Sequence, residues 1–230
     1  FRSSKVYVLN DRQTYGQGVA QSFTTNAKKL GLTVLSAGDA GEGWDDKATN
    51  YEALFTKIKA LSPDMVYVGG IFDLNGGQLV KDKVKYLGDN TKVKFMMPDG
   101  FTGYPDFLAL PEAAGAYLSF TGLDISQFPK GGVAEDFQDE YLLTYGEAPT
   151  SSFSVYGAAA AQVILDAISR SNGTRKDIFE KMKTVNIPAA KSVVGTQLKF
   201  DKNGDILSRD ITILNVTDKK ETFVKKITIK

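Results

Sequence analysis

The sequence predicts an α/β fold built on a parallel sheet with helices on both faces, and three observations predict it. Short apolar runs bounded by turn residues recur through the first half of the chain, amphipathic segments of helical length separate them, and glycine stands at several junctions. Strands that alternate with helices at this spacing need crossover connections, which keep neighbouring strands parallel and cover the sheet.

The first forty residues carry the pattern most clearly. Val6-Tyr7-Val8-Leu9 reads as a buried strand, and Val19, Phe23, Ala27 and Leu30 mark the apolar face of a helix that covers it. Gly31 sits where a helix end favours a residue at positive φ, and Leu32-Thr33-Val34-Leu35 is the second strand. Between the first strand and its helix runs Asn10-Asp11-Arg12-Gln13-Thr14-Tyr15-Gly16-Gln17-Gly18. Ligands of open parallel sheets lie beyond the carboxyl ends of the strands, so this loop, with Tyr15 in it, is at the functional end.

The alternation then repeats. Tyr51, Leu54, Phe55, Ile58 and Leu61 predict a helix, and Asp64-Met65-Val66-Tyr67-Val68-Gly69-Gly70 a third strand. A helix over 74–87 closes on Gly88, and Val93-Lys94-Phe95-Met96-Met97 is a fourth strand ending at Pro98-Asp99-Gly100. A short helix over 105–110 leads to a fifth strand, Ala116-Tyr117-Leu118-Ser119-Phe120. After Gly122 the style changes to helices over 133–145, 153–171 and 176–183, then a weak strand ending at Phe200, a turn over 201–205 and a hairpin pairing 211–216 with 223–229. The helix holding Val155, Ala158, Ala159, Ala160, Val163, Ile164, Ala167 and Ile168 is apolar over a wide arc, which calls for cover that this part of the chain does not offer.

Composition removes several function classes. The chain has 230 residues, enough for one large domain or two small ones, and no apolar run approaches the roughly 18 residues of a membrane span. Lys and Arg number 28 against 27 Asp and Glu, without a basic stripe, which argues against a nucleic-acid partner. The Lys81-Asp82-Lys83-Val84-Lys85 run reads as a solvated helix face. With neither Cys nor His, thiol nucleophiles, Ser-His-Asp triads, His-ligated zinc and disulfides are excluded. Gly16-Gln17-Gly18 lacks the third glycine of a dinucleotide fingerprint. Asp201, Asn203 and Asp205 alternate like an opening calcium loop, but no Glu follows at the twelfth position, so a turn is the better reading. Trp44-Asp45-Asp46 reads as a solvated loop, and the expectation is no catalytic residue, no metal and no cofactor. Phe1-Arg2-Ser3-Ser4 does not look like a natural start and suggests a processed chain or a fragment.

Read in serial order, Val6-Tyr7-Val8-Leu9, Thr14-Tyr15-Gly16-Gln17-Gly18, Asp64-Met65-Val66-Tyr67-Val68-Gly69-Gly70, Phe95-Met96-Met97-Pro98-Asp99-Gly100, Phe153-Ser154-Val155-Tyr156-Gly157-Ala158-Ala159 and Phe200-Asp201-Lys202-Asn203-Gly204-Asp205 resemble one family. It is the leucine/isoleucine/valine-binding family, the type I periplasmic solute receptors of branched-chain amino-acid ABC transporters. The resemblance implies a two-lobed clamshell with a parallel sheet and helices on both faces in each lobe. It maps residues 1–121 to the second lobe, 122–200 to the late, mainly helical part of the first lobe, and 201–230 to a hinge return and hairpin on the second lobe. The family's opening segment, which holds most strands of the first lobe, has no counterpart here, so the first lobe is incomplete and that segment is an expected partner.

The resemblance also implies a small amino acid as ligand, a permease as partner and an exported, periplasmic or membrane-anchored extracellular location. Asp99 stands where the family places the acid that meets the ligand ammonium; the alternative is a turn residue in Pro-Asp-Gly. Tyr15 matches the loop aromatic that closes over the ligand, or is a surface aromatic. Ile71 and Phe72 line the side-chain pocket or form local core beneath the loop. Tyr156 caps the cleft or packs within its helix, and Phe101 is a further, weaker candidate. Two other classes remain at this point: the ligand-sensing lobe of a regulatory or receptor protein, and an enzyme of flavodoxin-like type. A homodimer through the open first-lobe face is also compatible with the sequence.

Overall fold

The computed structural model describes residues 4–229. Residues 1–3, where the unusual start falls, lie outside the described residues. The chain divides into two units, one of Phe1–Phe120 and Ile213–Lys225, the other of Thr121–Thr212 and Lys226–Lys230.

In the first unit the elements follow the order β1 (Lys5–Asn10), α1 (Thr14–Lys29), β2 (Thr33–Val34), β3 (Glu42–Gly43), α2 (Glu52–Ala60), β4 (Met65–Gly69), α3 (Gly76–Leu87), β5 (Lys94–Met97), α4 (Pro105–Ala109) and β6 (Tyr117–Thr121). Strand β1 pairs in parallel with β2, β3 and β4, β4 with β5, and β5 with β6. The chain therefore leaves β1 toward β2 on one side and returns to β4 on the other. That reversal is a topological switch point, and in open α/β sheets ligands bind beyond the carboxyl ends of the strands at such a point.

Burial follows the period-two alternation of a sheet covered on both faces. Val6 and Val8 of β1 join Met65, Tyr67 and Ala20 of α1 in one cluster, with Val19 and Phe23 packed against it. On the opposite parity Tyr7, Leu9, Val66 and Val68 are buried, as are Phe55 and Ile58 of α2 and Leu79 and Val80 of α3. Gly31 has a φ of +80° and ends the first helix as expected, but Leu30, predicted to lie on its buried face, is 79% exposed.

Two sequence readings are corrected here. Trp44 is buried, not solvated, because its indole Nε1 donates to the Leu74 carbonyl at 2.8 Å and a polar indole tip with a partner can go inside. The Lys81–Lys85 run is not a wholly solvated face, since Asp82 and Lys83 are buried. Asp82 Oδ2 accepts from the Tyr51 amide at 2.7 Å and from Gln78 Nε2 at 3.0 Å. Lys83 Nζ donates to Asn90 Oδ1 at 2.7 Å and to the carbonyls of Val93, Gly88 and Asp89 at 2.5, 3.2 and 3.3 Å. A charge run becomes internal when the loop that follows turns its oxygens inward.

The second unit holds α5 (Val133–Tyr145), α6 (Ser152–Ser169), α7 (Arg175–Met182) and the two-residue antiparallel strands β7 (Asn186–Ile187) and β8 (Leu198–Lys199). Its core gathers Leu123, Phe128, Val155, Ala159, Val163, Ala167, Val185, Ile187, Val194 and Leu198. One stripe of α6 is thereby buried, while Phe153, Ile164, Leu165 and Ile168 on its other side are exposed. Contrary to the sequence expectation, α6 is 18 residues long with a mean hydropathy of 1.2, enough by length and composition to cross a membrane. Its stripe of Val155, Ala159, Val163 and Ala167 packs in the core of this unit. The 201–205 segment is a turn, in which Asp201 Oδ1 accepts from the amides of Asn203 and Asp205 at 2.8 and 3.0 Å. The predicted hairpin is present as β9 (Asp210–Thr217) and β10 (Lys220–Thr228), and both strands are divided between the units.

Candidate functional site

The carboxyl ends of β1, β4 and β5 lie side by side in the first unit, and the loops that leave them are stitched together. The Asp11 amide donates to the Gly69 carbonyl at 3.0 Å, and the Phe72 amide to the Gly100 carbonyl at 2.9 Å. Close approach of the backbones requires glycine at two positions. A Cβ on Gly16 would stand 2.5 Å from the Gly69 carbonyl oxygen, and one on Gly69 would stand 2.3 Å from that of Gly16. Side chains there would force α1 away from β4.

That approach sets the first turn of α1 beside the β5 loop. Tyr15 Oη donates to Asp99 Oδ1 at 2.5 Å, joining two residues 84 positions apart in the chain. Burial, then the bond to Asp99, raises the Tyr15 phenol well above its ordinary pKa, so it remains a donor. The ring is still 41% exposed. Asp99 is half-buried in a short 3-10 turn, and among the described residues no hydrogen bond reaches its second oxygen, Oδ2. Behind the pair lies Tyr67 of β4, stacked on Phe23 with ring centroids 3.7 Å apart. Its phenol is pushed up by burial and then by the Asp99 carboxylate.

Ile71 and Phe72 are half-buried in the next loop. Ile71 packs on Gly100, where an added Cβ would come within 2.8 Å of its Cγ2. The Phe72 ring packs among Tyr104, Phe107 and Phe101, at centroid distances of 5.1, 5.9 and 6.1 Å. Phe101 is fully buried and so belongs to this cluster's interior. The structure thus brings Tyr15 and Asp99 into direct contact and ties Ile71 and Phe72 to them through Gly100. Tyr156 belongs to the second unit, where its hydroxyl accepts from the Leu123 amide at 2.7 Å and its ring meets Phe128 at 6.3 Å. There it lines a cavity of about 340 Å³ with Leu123, Ala160, Ile164, Phe200 and Asp210.

Sequence reasoning passed over Asp11 and Tyr67. Tyr67 reads as one more strand residue, and only its parity, which matches Met65 on the α1 face, hints at its place. Asp11 closes a buried strand in the same loop as Tyr15, a position where a carboxylate is exposed unless the neighbouring strand end folds over it.

The model of the family described as periplasmic binding protein matches residues 1–221. The chain belongs to this family. An amino acid binding protein of Pseudomonas aeruginosa is 26% identical over 223 residues, covering 95% of this chain and 54% of that protein. The Leu/Ile/Val-binding protein BraC3 of Rhizobium johnstonii is 25% identical over 218 residues, covering 93% of this chain and 54% of its own length. The chain therefore spans about half the length of the curated relatives it matches. The crystal structure of a leucine binding protein, LivK of Thermotoga maritima, superposes with a TM-score of 0.81 at 20% identity, over 98% of this chain and 61% of that one. The α/β fold of this periplasmic binding protein is that of type I solute receptors, as the resemblance implied.

Proposed function

We propose that this protein is the ligand-binding part of an extracytoplasmic solute receptor, without enzymatic activity, that takes a small amino acid and delivers it to an ABC transporter permease. One observation carries the reading: at the switch point of the sheet, Asp99 is held by the Tyr15 hydroxyl through Oδ1 while Oδ2 has no protein donor among the described residues. An ammonium group matches that oxygen, since a charge taken from water needs an opposite charge and a hydrogen bond, and such charge-assisted bonds are worth about 1.5–3 kcal/mol. Ile71 and Phe72 supply apolar surface next to it, which suits an aliphatic side chain. The names of the relatives, which include amino acid and Leu/Ile/Val-binding proteins, point the same way.

The remaining ligand contacts come from outside residues 1–230 in this reading. The exposed side of α6 supports it: Phe153, Ile164, Leu165 and Ile168 form an apolar arc suited to a sheet, and among the described residues the strands that lie wholly in the second unit, β7 and β8, are two residues long. We infer that the portion of the relatives not matched by this chain has a counterpart that covers this arc.

Calorimetric titration of the full protein with L-leucine, L-isoleucine and L-valine tests the assignment. Binding that weakens by about 10- to 100-fold in Asp99→Asn is expected from the loss of one charged hydrogen bond. Binding indifferent to that substitution, or no heat with any of the three, rejects it.

A further inference from the structure

Asp11 is a buried carboxylate that neither packing nor the proposed ligand contacts explain. It is 3% exposed, at the carboxyl end of β1. Oδ1 accepts from the Gln13 amide at 2.9 Å, whereas Oδ2 is buried with no hydrogen-bond partner among the described residues. Burial raises its pKa, and the backbone amides of Gln13 and Ile71, which face the carboxylate, draw it only partly back. An under-satisfied buried carboxylate costs stability.

The surroundings are shaped to admit it. A Cβ on Gly16 would lie 2.1 Å from Oδ1, and one on Gly70 would lie 2.9 Å from Oδ2. On its far side Gly70 meets the Trp44 ring, where the same Cβ would come within 2.5 Å. Trp44 in turn bonds the Leu74 carbonyl, and Phe72 is bonded to Gly100. The 70–74 loop is thus held by Trp44 at Leu74 and by the β5 loop at Phe72, and the Asp11 carboxylate stands against its start at Gly70.

We propose that Asp11 is a positioning residue of the ligand site, whose buried carboxylate braces the loop where it starts at Gly70 and so sets Ile71 and Phe72 against Asp99. The proposal rests on the amino-acid reading above for its functional half. It predicts a separation of stability from binding. A buried charge that serves only the fold loses both together when replaced, whereas a charge kept for the loop releases its burial cost on removal and weakens only the site. Asp11→Asn is the informative change, because the amide keeps an acceptor for Gln13 and removes the charge that faces Ile71.

The experiment compares the full wild-type protein with Asp11→Asn by thermal melting, by L-leucine titration and by amide hydrogen exchange. The expected result is a Tm equal to or above that of the wild type, affinity reduced by about tenfold or more, and faster exchange at Ile71 and Phe72. Unchanged affinity overturns the proposal, and so does a loss of affinity accompanied by a lower Tm, which marks an ordinary structural residue. If the wild type does not bind L-leucine, the ligand reading fails by itself and exchange decides the rest: unchanged protection at Ile71 and Phe72 overturns the positioning role, and selective loss there supports it.

Discussion

The two units solve the burial of apolar surface differently. In the first, strands β1 and β4 are buried on both faces, with α1 on one side and the buried side chains of α2 and α3 on the opposite parity. In the second, α6 buries Val155, Ala159, Val163 and Ala167 and exposes Phe153, Ile164, Leu165 and Ile168. A helix needs only a stripe of cover to be ordered, whereas a parallel strand needs two faces. A half-covered helical unit is therefore a coherent structure with an unfinished surface, and a half-covered parallel sheet is not. The two candidate site residues Tyr15 and Asp99 meet in the unit whose sheet is covered on both faces.

The comparison is broken most severely in the core of the first unit. Phe55 is fully buried in α2, and Phe55→Ala is expected to cost about 3–5 kcal/mol in chemical denaturation, from lost transfer energy and the cavity left behind. A cost below about 1 kcal/mol, the scale of ordinary substitutions, would mean that this core is not closed on both faces.

Lys83 gives a smaller and pH-dependent effect. Burial pushes its ammonium down to about 7, against a weak upward pull from Asp89 and a further push down from Lys94. The folded value lies below that of the unfolded chain, so between about pH 7 and the ordinary lysine range the unfolded state holds more protons. Stability attributable to Lys83 therefore rises with pH across that window. Melting curves from pH 7 to 9, where tyrosines of the unfolded chain are still largely protonated, should show a rising Tm in the wild type and a flatter profile in Lys83→Met. The variant should also lose about 1–3 kcal/mol, because the oxygens of Asn90 and Val93 lose their donor. An identical slope in both proteins would remove Lys83 as the cause.

Much of this was legible from residue order. Strands β1, β4 and β5 are bounded apolar runs, the helices of the second unit start and stop within two residues of the sequence reading, and Gly31 has the positive φ its position demands. Tyr15 and Asp99 stand out as candidates in the sequence because each falls near a strand's carboxyl end and matches a position of the family it resembles. Their bond was not legible, since it depends on Gly16 meeting Gly69, a contact between residues 53 positions apart. Trp44, Asp82 and Lys83 were misread for a related reason. Their burial depends on carbonyls and amides of distant loops turning toward them, and polarity in a linear sequence carries no record of which polar groups find a partner. The same limit hid Asp11. Strands β3 and β7, of two residues each, are too short to leave a periodic pattern.

The smallest expected effect is the sharpest test of the contrast between the units. Leu165 is 64% exposed on the outer arc of α6, although leucine is among the residues most often buried. In the protein of residues 1–230, Leu165→Ser should change stability by no more than about 0.5 kcal/mol, because most of the side chain is already in solvent. The same substitution in a longer version that carries the relatives' unmatched portion should cost about 2 kcal/mol or more if a sheet covers the arc. A surface dye that fluoresces on apolar patches gives a second reading: its signal should be strong with the shorter chain, fall in the longer one and return in part with Leu165→Ser. Equal sensitivity to Leu165→Ser in both lengths would show that nothing seats on α6, and the exposed arc would then be an ordinary feature of this unit.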